Sequence, residues 1–207
     1  MNIMFDVGAN WGTDSLDFIR NNNDWVCFAF EPTPQLFSHL VNVSASFKDR
    51  YFVYPYAISD FVGKANFNVA GQSDWGCSSL LEFSDNLDKT WPGRTDFVVT
   101  ENIEVDVISL KYFIENIVPN IKIEKIDRFH CDTQGNDLKV LKGMAEYVSI
   151  IQHGVIEVPQ STEVMLYKNQ HSFEEAVEFL QNNGFKISNI NSQQNELNLC
   201  FDRKEVI

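Results

Sequence analysis

Positive charge is what this sequence has least of. It carries 16 Lys and Arg against 29 Asp and Glu, a formal net charge of −13. A nucleic-acid partner needs a basic surface, so the balance argues against one, and against an anionic membrane. A neutral or cationic acceptor is easier to accommodate in such a field. Long apolar runs are missing as well: none approaches the roughly 20 residues that span a bilayer, so membrane insertion is not expected. The N-terminus has no basic region and no small residues of the cleavage type, so it does not read as a signal peptide. The first strand-like run begins almost at Met1, which leaves no room for a targeting segment. Cysteine is sparse: Cys27, Cys77, Cys131 and Cys200 form no C-x-x-C pair and no metal spacing with histidine. Cys27, Cys131 and Cys200 lie in apolar runs, where cysteine acts as a small buried hydrophobe. Free thiols without an export signal point to a reducing cytoplasm. With no repeat, no low-complexity stretch and no linker, residues 1–207 are expected to form one domain.

What is there begins at once. Ile3, Met4, Phe5 and Val7 make a short apolar run broken by glycine, which reads as a buried strand feeding a tight turn. Asp14 and Ser15 then open a helical pattern with Leu16, Phe18 and Ile19 on its apolar side. In an open α/β sheet, such a first loop borders the ligand crevice. Gly8 and Gly12 let backbone approach a ligand closely. The loop is D-x-G-x-x-x-G and not G-x-G-x-x-G. Asp6, just before the first glycine, would repel a phosphate, so the loop suits a ligand with a ribose and a positive centre. S-adenosylmethionine is such a ligand. Glu31 ends a second apolar run and lies 19 residues after Gly12, placed to accept hydrogen bonds from ribose hydroxyls. Read blandly, Asp6 and Glu31 are solvated strand ends.

Further along, residues 34–43 read as a helix and Tyr51–Tyr54 as a third strand. Residues 64–69 alternate like a hairpin strand. Residues 71–93 are irregular, and a loop that long in a compact domain is usually functional or mobile. Residues 97–107 alternate again. A helix is expected at 109–117 with Ser109 as N-cap. A fourth core strand runs to Cys131 and ends at Asp132; a helix follows at 137–147, then a fifth strand within 148–158. Residues 172–183 make an amphipathic helix with a Ser172/Glu175 capping box, stopped by Gly184. Residues 185–190 and 197–201 close the sheet, and the short polar turn between them forces that pair to be antiparallel. Alternating strands and helices predict an α/β fold, a mostly parallel sheet with helices on both faces.

Several motifs now stand in order: Asp6-Val7-Gly8-Ala9-Asn10-Trp11-Gly12, Phe30-Glu31-Pro32, Ala57-Ile58-Ser59-Asp60 with Gly63, Ser78-Ser79-Leu80, and Asp132-Thr133-Gln134-Gly135-Asn136-Asp137 with Val140-Leu141-Lys142-Gly143. Together they resemble the FkbM family of S-adenosylmethionine-dependent methyltransferases, over nearly the whole chain. The resemblance implies the Rossmann-like class I methyltransferase fold, seven-stranded with an antiparallel seventh strand, and O-methylation of a sugar or polyketide hydroxyl. It assigns Asp6, Gly8, Ala9, Asn10 and Gly12 to the cofactor loop, Glu31 to the ribose, Ala57 and Ile58 to the adenine, and Asp132 to the place beside the methyl group. The chain departs from the family's pattern at His130, where lysine is usual, and at Gln134 and Asp137, where glutamate is common. These departures touch the acceptor contacts and any metal more than the cofactor.

An alcohol is a poor nucleophile at neutral pH, so a base is useful, worth about 10²–10⁴-fold. Asp132 is the first candidate, with His153 and Glu157 on the fifth strand behind it; Asp132 also reads as a cap for the next helix. Asp132, Asp137 and Glu157 can equally hold Mg²⁺ or sugar hydroxyls. His130 sits two residues before the strand end, on the parity of Asp132, or is a satisfied core histidine. Trp11, Trp75 and Trp91 stand in loops, where they either stack on sugar rings or plug the loop to the domain. Trp75, Ser78, Ser79, Gln134 and His130 are therefore the candidate acceptor contacts. The leading expectation is methylation of a sugar or glycan hydroxyl. The alternatives are a polyketide or other small-molecule hydroxyl, and a non-catalytic S-adenosylmethionine-binding protein. A nicotinamide dehydrogenase lacks its middle glycine here, and a nucleic-acid methyltransferase lacks its Asn/Asp-Pro-Pro-aromatic motif.

Overall fold

The N-terminal apolar run is strand β1 (Asn2–Val7), followed by α1 (Leu16–Asn21), β2 (Trp25–Phe30), α2 (Pro34–Ser44) and β3 (Tyr51–Tyr54) in the computed structural model, which describes residues 1–72 and 75–204. Ser73 and Asp74, in the irregular stretch around Trp75, lie outside the described residues. The period-2 pattern sorts β1 and β2 onto two faces. Met4, Cys27 and Ala29 join Ile19 and Leu40 under α1 and α2. Ile3, Phe5, Val7, Val26, Phe28 and Phe30 face the larger core.

The chain then leaves the main sheet. β4 (Ala57–Ile58), β5 (Gly63–Ala70), the short α3 (Leu87–Thr90) and β6 (Val99–Ile108) follow, and β4, β6 and β5 form a small separate sheet. The alternating residues 64–69 thus pair with β6, as an antiparallel strand. α4 (Leu110–Tyr112) is capped by Ser109, whose hydroxyl accepts from the Tyr112 N–H at 3.1 Å. It widens into a π-helical stretch at Phe113–Ile117 instead of continuing as one α-helix. That stretch carries Phe113, whose ring meets Phe30 and Tyr54 edge-on at 4.8 Å.

β7 (Ile126–Cys131), α5 (Asp137–Lys142), β8 (Ile151–Pro159), α6 (Phe173–Asn182), β9 (Phe185–Gln193) and β10 (Glu196–Arg203) complete the fold. The helix expected at 137–147 stops at Lys142, because Gly143 packs on the backbone of Ser59; a Cβ there would lie 2.2 Å from the Ser59 carbonyl oxygen. A 3₁₀ stretch, Ala145–Ile150, follows and delays the fifth strand to Ile151. The capping box is present: Ser172 Oγ accepts from Glu175 N at 3.2 Å and Glu175 Oε2 from Ser172 N at 2.7 Å.

The main sheet has seven strands in the order β3-β2-β1-β7-β8-β10-β9. All pair in parallel except β10, which is antiparallel to both neighbours. The α/β fold with an antiparallel last strand is the one expected from the sequence. Strand order reverses between β1 and β7, so the crevice beyond their carboxyl ends is the natural ligand position. Among the described residues no helix is long and apolar enough to cross a membrane.

Candidate active site

Backbone geometry at the switch point brings two loops together. Asp132 N still bonds Val7 O at 2.9 Å, so the chains leaving β1 and β7 stay paired one step beyond the strands. Gly8 has φ +82°, and a Cβ on it would meet the Asp132 carbonyl oxygen at 1.9 Å. Only glycine fits so close an approach. The loop then folds onto β2: Gly8 N and Ala9 N both donate to Phe30 O at 3.0 Å, and Asn10 N donates to Glu31 Oε2 at 2.9 Å. These three successive amides are engaged within the chain, so the turn is not a phosphate cradle.

Glu31, at the end of β2, is buried, and burial raises its carboxyl above the usual range. Its Oε1 accepts from Thr33 N at 2.7 Å and its Oε2 from Asn10 N. An ionised carboxylate offers about four acceptor positions, so acceptor capacity remains for a ligand.

A cleft of about 560 Å³, open solvent included, lies beside these groups. Gly8, Asn10, Glu31, Ala57, Ile58 and Asp132 line it, as do Trp75, Ser78 and Gln134. Phe67 of the small sheet and Leu80, which packs on that sheet's core, line it too.

Other expected cofactor residues stand behind the cleft. Asp6 is fully buried; its Oδ1 meets His130 Nδ1 at 2.9 Å and its Oδ2 has no partner among the described residues. Ala9 belongs to the core under α1 and α2. Gly12, φ +78°, makes room for Leu16 and Leu40, so it serves packing.

Beside Asp132, Gln134 is the hub. Its Nε2 donates to Asp132 Oδ1 at 2.7 Å and to Glu157 Oε2 at 3.2 Å. Burial raises both carboxyls; the His130 charge opposes the rise at Asp132, and the Asp132 charge adds to it at Glu157. Asp132 therefore does not cap α5, whose N-cap is Asn136. Asp137 sits under this group, fully buried, with Oδ1 near Thr133 N (3.4 Å) and Glu157 N (3.5 Å). Burial lifts it to about 7, helped by Asp132. Among the described residues no three His, Cys, Asp or Glu side chains gather to hold a metal ion. The set Asp132, Asp137 and Glu157 does not converge, because an amide stands between two members and backbone N–H groups take the third.

Three expected contacts lie elsewhere. His153 is 70% exposed at the opposite end of β8, level with Arg128, and its Nδ1 pairs with Asp202 Oδ1 at 2.8 Å. His130 faces the groove on the α1 side, because β7 ends at Cys131 and strand parity does not carry on to Asp132. Ser79 is buried; its Oγ donates to Gln134 O at 2.7 Å and accepts from Leu81 N. Ser78, though in the cleft wall, spends its hydroxyl on the Ala70 backbone. Of the tryptophans, Trp91 is a buried plug, with Nε1 donating to Val164 O at 3.3 Å. Trp75 lines the cleft and meets the exposed Trp11 ring at 5.9 Å.

Sequence reasoning missed Thr33, Tyr56, Asn136 and Tyr167. Thr33 lines the cleft, its buried side chain beside the Glu31 carboxylate. Asn136 holds the Ala57–Ile58 wall in place, its Nδ2 donating to Ile58 O at 2.9 Å. Tyr167, buried, donates from its hydroxyl toward Gln134 Oε1 at 2.7 Å and Cys77 O at 2.9 Å. Asn136 stands inside a quoted motif; Tyr167, 33 residues from Gln134, carried no signal.

Comparison with known proteins follows the same lines. The methyltransferase FkbM of Methylobacillus flagellatus KT superposes with a TM-score of 0.55 at 13% identity, over 97% of this chain and 43% of that one. The fibrillarin pre-rRNA processing protein of Methanococcus jannaschii gives 0.53 at 13% identity, over 98% of this chain and 66% of that one. TrmK of M. capricolum, solved with the natural cofactor product S-adenosyl-homocysteine, gives 0.50 at 11% identity, over 98% and 62%. These likenesses establish the fold. No curated protein matches the sequence. The chain thus spans less than half the length of the FkbM structure it resembles. The methyltransferase FkbM domain itself matches residues 6–187, from Asp6 near the end of β1 to Ile187 in β9, and the chain belongs to that family.

Proposed function

We propose that this chain is an S-adenosylmethionine-dependent O-methyltransferase that acts on a hydroxyl of a sugar or glycan, with Asp132 as general base. The observation that carries this reading is the shared cleft: the cofactor-type loop at Gly8 and the carboxylate of Asp132 line one cavity at the switch point. S-adenosylmethionine, when bound, supplies a methyl group on a sulfonium. The residues present fit it. Glu31 keeps acceptor capacity for ribose hydroxyls, and Ala57 and Ile58 offer an apolar wall for a flat base. The loop amides are not free for a pyrophosphate, which favours this ligand over a dinucleotide.

Holding donor and acceptor together supplies roughly 7–11 kcal/mol of barrier lowering. Asp132 takes the hydroxyl proton, which a carboxylate raised above its ordinary range does better than an exposed one. Gln134 holds Asp132 and Glu157 with one amide nitrogen, so the pair stays ordered without a metal. Trp75 offers an aromatic face to the acceptor ring. The strongly negative chain favours an uncharged acceptor over a phosphorylated one, and we place the reaction in the cytoplasm. The test is transfer of labelled methyl from S-adenosylmethionine to a panel of free sugars, glycans and small phenols, with and without EDTA. Labelled sugar in both conditions is the expected result; label only on phenols, or none after EDTA, contradicts the reading.

A further inference from the structure

Hydrogen atoms do not balance in the chain of contacts from Tyr167 to the carboxylates unless one choice is made. The Tyr167 hydroxyl has one proton and two acceptors in reach, Gln134 Oε1 at 2.7 Å and Cys77 O at 2.9 Å. If the proton goes to Gln134 Oε1, the amide must turn its NH₂ toward Asp132 and Glu157, and both acids are held as carboxylates. If it goes to Cys77 O, the phenol oxygen becomes an acceptor, and the amide is favoured the other way round. Gln134 Oε1 then faces the acids, which is tolerable only when one carries a proton. Gln134 is itself held in a left-handed turn at φ +54°, fixed by the Ser79 hydroxyl on its carbonyl. Gly135 follows at φ +88°, where a Cβ would meet the Tyr167 ring at 2.9 Å. The side chain of Gln134 thus has a fixed root, and its free end is set by Tyr167.

We propose that Tyr167 is a positioning residue: through the Gln134 amide it sets the hydrogen-bond donor that Asp132 and Glu157 share, and so the pH at which this pair becomes ionised. This rests on the reading of Asp132 as base, yet the ionisation can be measured without substrate; His130, Asp14, Asp137 and Glu196 also act on the pair and are unaltered in the variants below. Tyr167→Phe keeps the ring, which stacks on Phe83 at 5.2 Å, and removes only the hydroxyl. Gln134→Met removes the shared donor itself. Carbon-13 NMR of the Asp and Glu carboxyls, in wild type and both variants, should show the Asp132 and Glu157 midpoints about one pH unit higher in Tyr167→Phe and higher again in Gln134→Met. The acid limb of the kcat profile should move with them, about tenfold in kcat near neutral pH, recovering as pH rises, with unchanged affinity for S-adenosylhomocysteine. Carboxyl midpoints that stay put overturn the proposal, as does a kcat loss that is equal at every pH. Shifted midpoints in a protein that methylates nothing would leave the proposed relay standing and remove the enzymatic reading instead.

Discussion

Gly8 lies against Asp132 so closely that a Cβ on it would stand 1.9 Å from the Asp132 carbonyl oxygen, with the Asp132 carbonyl carbon at 2.9 Å. The two residues follow the two strands between which the sheet reverses its order. Gly8→Ala must therefore push the loop from β7 and also hold a left-handed φ, which alone costs roughly 1–2 kcal/mol. We expect a lower thermal midpoint and at least tenfold weaker S-adenosylhomocysteine binding by calorimetry. Wild-type affinity in Gly8→Ala would show that the loop does not border the cofactor.

Glu31 is a separate test of the same pocket. Glu31→Ala removes an acceptor that also ties down Asn10 N and Thr33 N. Losing a charged partner costs about 1.5–3 kcal/mol, so affinity for S-adenosylhomocysteine should fall by one to two orders of magnitude. Unchanged titration curves would sink the ribose assignment.

Stability should fall with rising pH. A carboxyl whose folded pKa is raised holds more protons folded than unfolded, so its contribution is lost as pH climbs from the ordinary value to the folded one. Asp137 and Glu196 are both lifted to about 7, mainly by burial. His130 is raised to about 9: burial opposes its charge, but the Asp6 hydrogen bond and charge outweigh it, and that contribution is lost as pH rises through about 9. His171 works the other way: buried and held down to about 4, it weakens the fold once pH drops below its ordinary value. Thermal midpoints should decline from mildly acidic toward alkaline pH, and Asp137→Asn should flatten part of the decline. A midpoint that rises from weakly acidic to alkaline buffer contradicts this account.

Much of this architecture could be read in advance, for a physical reason. Short continuous apolar runs that stop at a glycine turn, at Glu31 and at Asp132 mark strand ends, and strand ends in a parallel sheet are where ligands lie. The capping box at Ser172 and Glu175 is equally local. What escaped depends on contacts distant in sequence. The break at Gly143 comes from its approach to Ser59. The joining of Asp132 to Glu157 by Gln134, and the setting of Gln134 by Tyr167, rest on a left-handed turn and a partner 33 residues away. His153 was misplaced because being on the right strand says nothing of which end, and its level with Arg128 sets it four residues before Glu157. Parity misled for His130, since the strand stops one residue short of Asp132.

The proposed acceptor contact is aromatic. Trp75 sits between the small sheet's core and Trp11 on the cofactor loop. Trp75→Ala should raise the acceptor KM several-fold and leave S-adenosylhomocysteine affinity within about twofold. Collapse of cofactor binding instead would assign Trp75 to the cofactor wall.

The most direct measurement is single-turnover methyl transfer by Asp132→Asn. The amide keeps the shape and can still accept from Gln134 Nε2, and only the proton acceptor is lost. The account predicts S-adenosylhomocysteine binding equal to wild type and a rate lower by about 10²–10⁴, without rescue by Mg²⁺. A near-normal rate in Asp132→Asn would contradict it and make Glu157, the other carboxylate on the Gln134 amide, the next base to test.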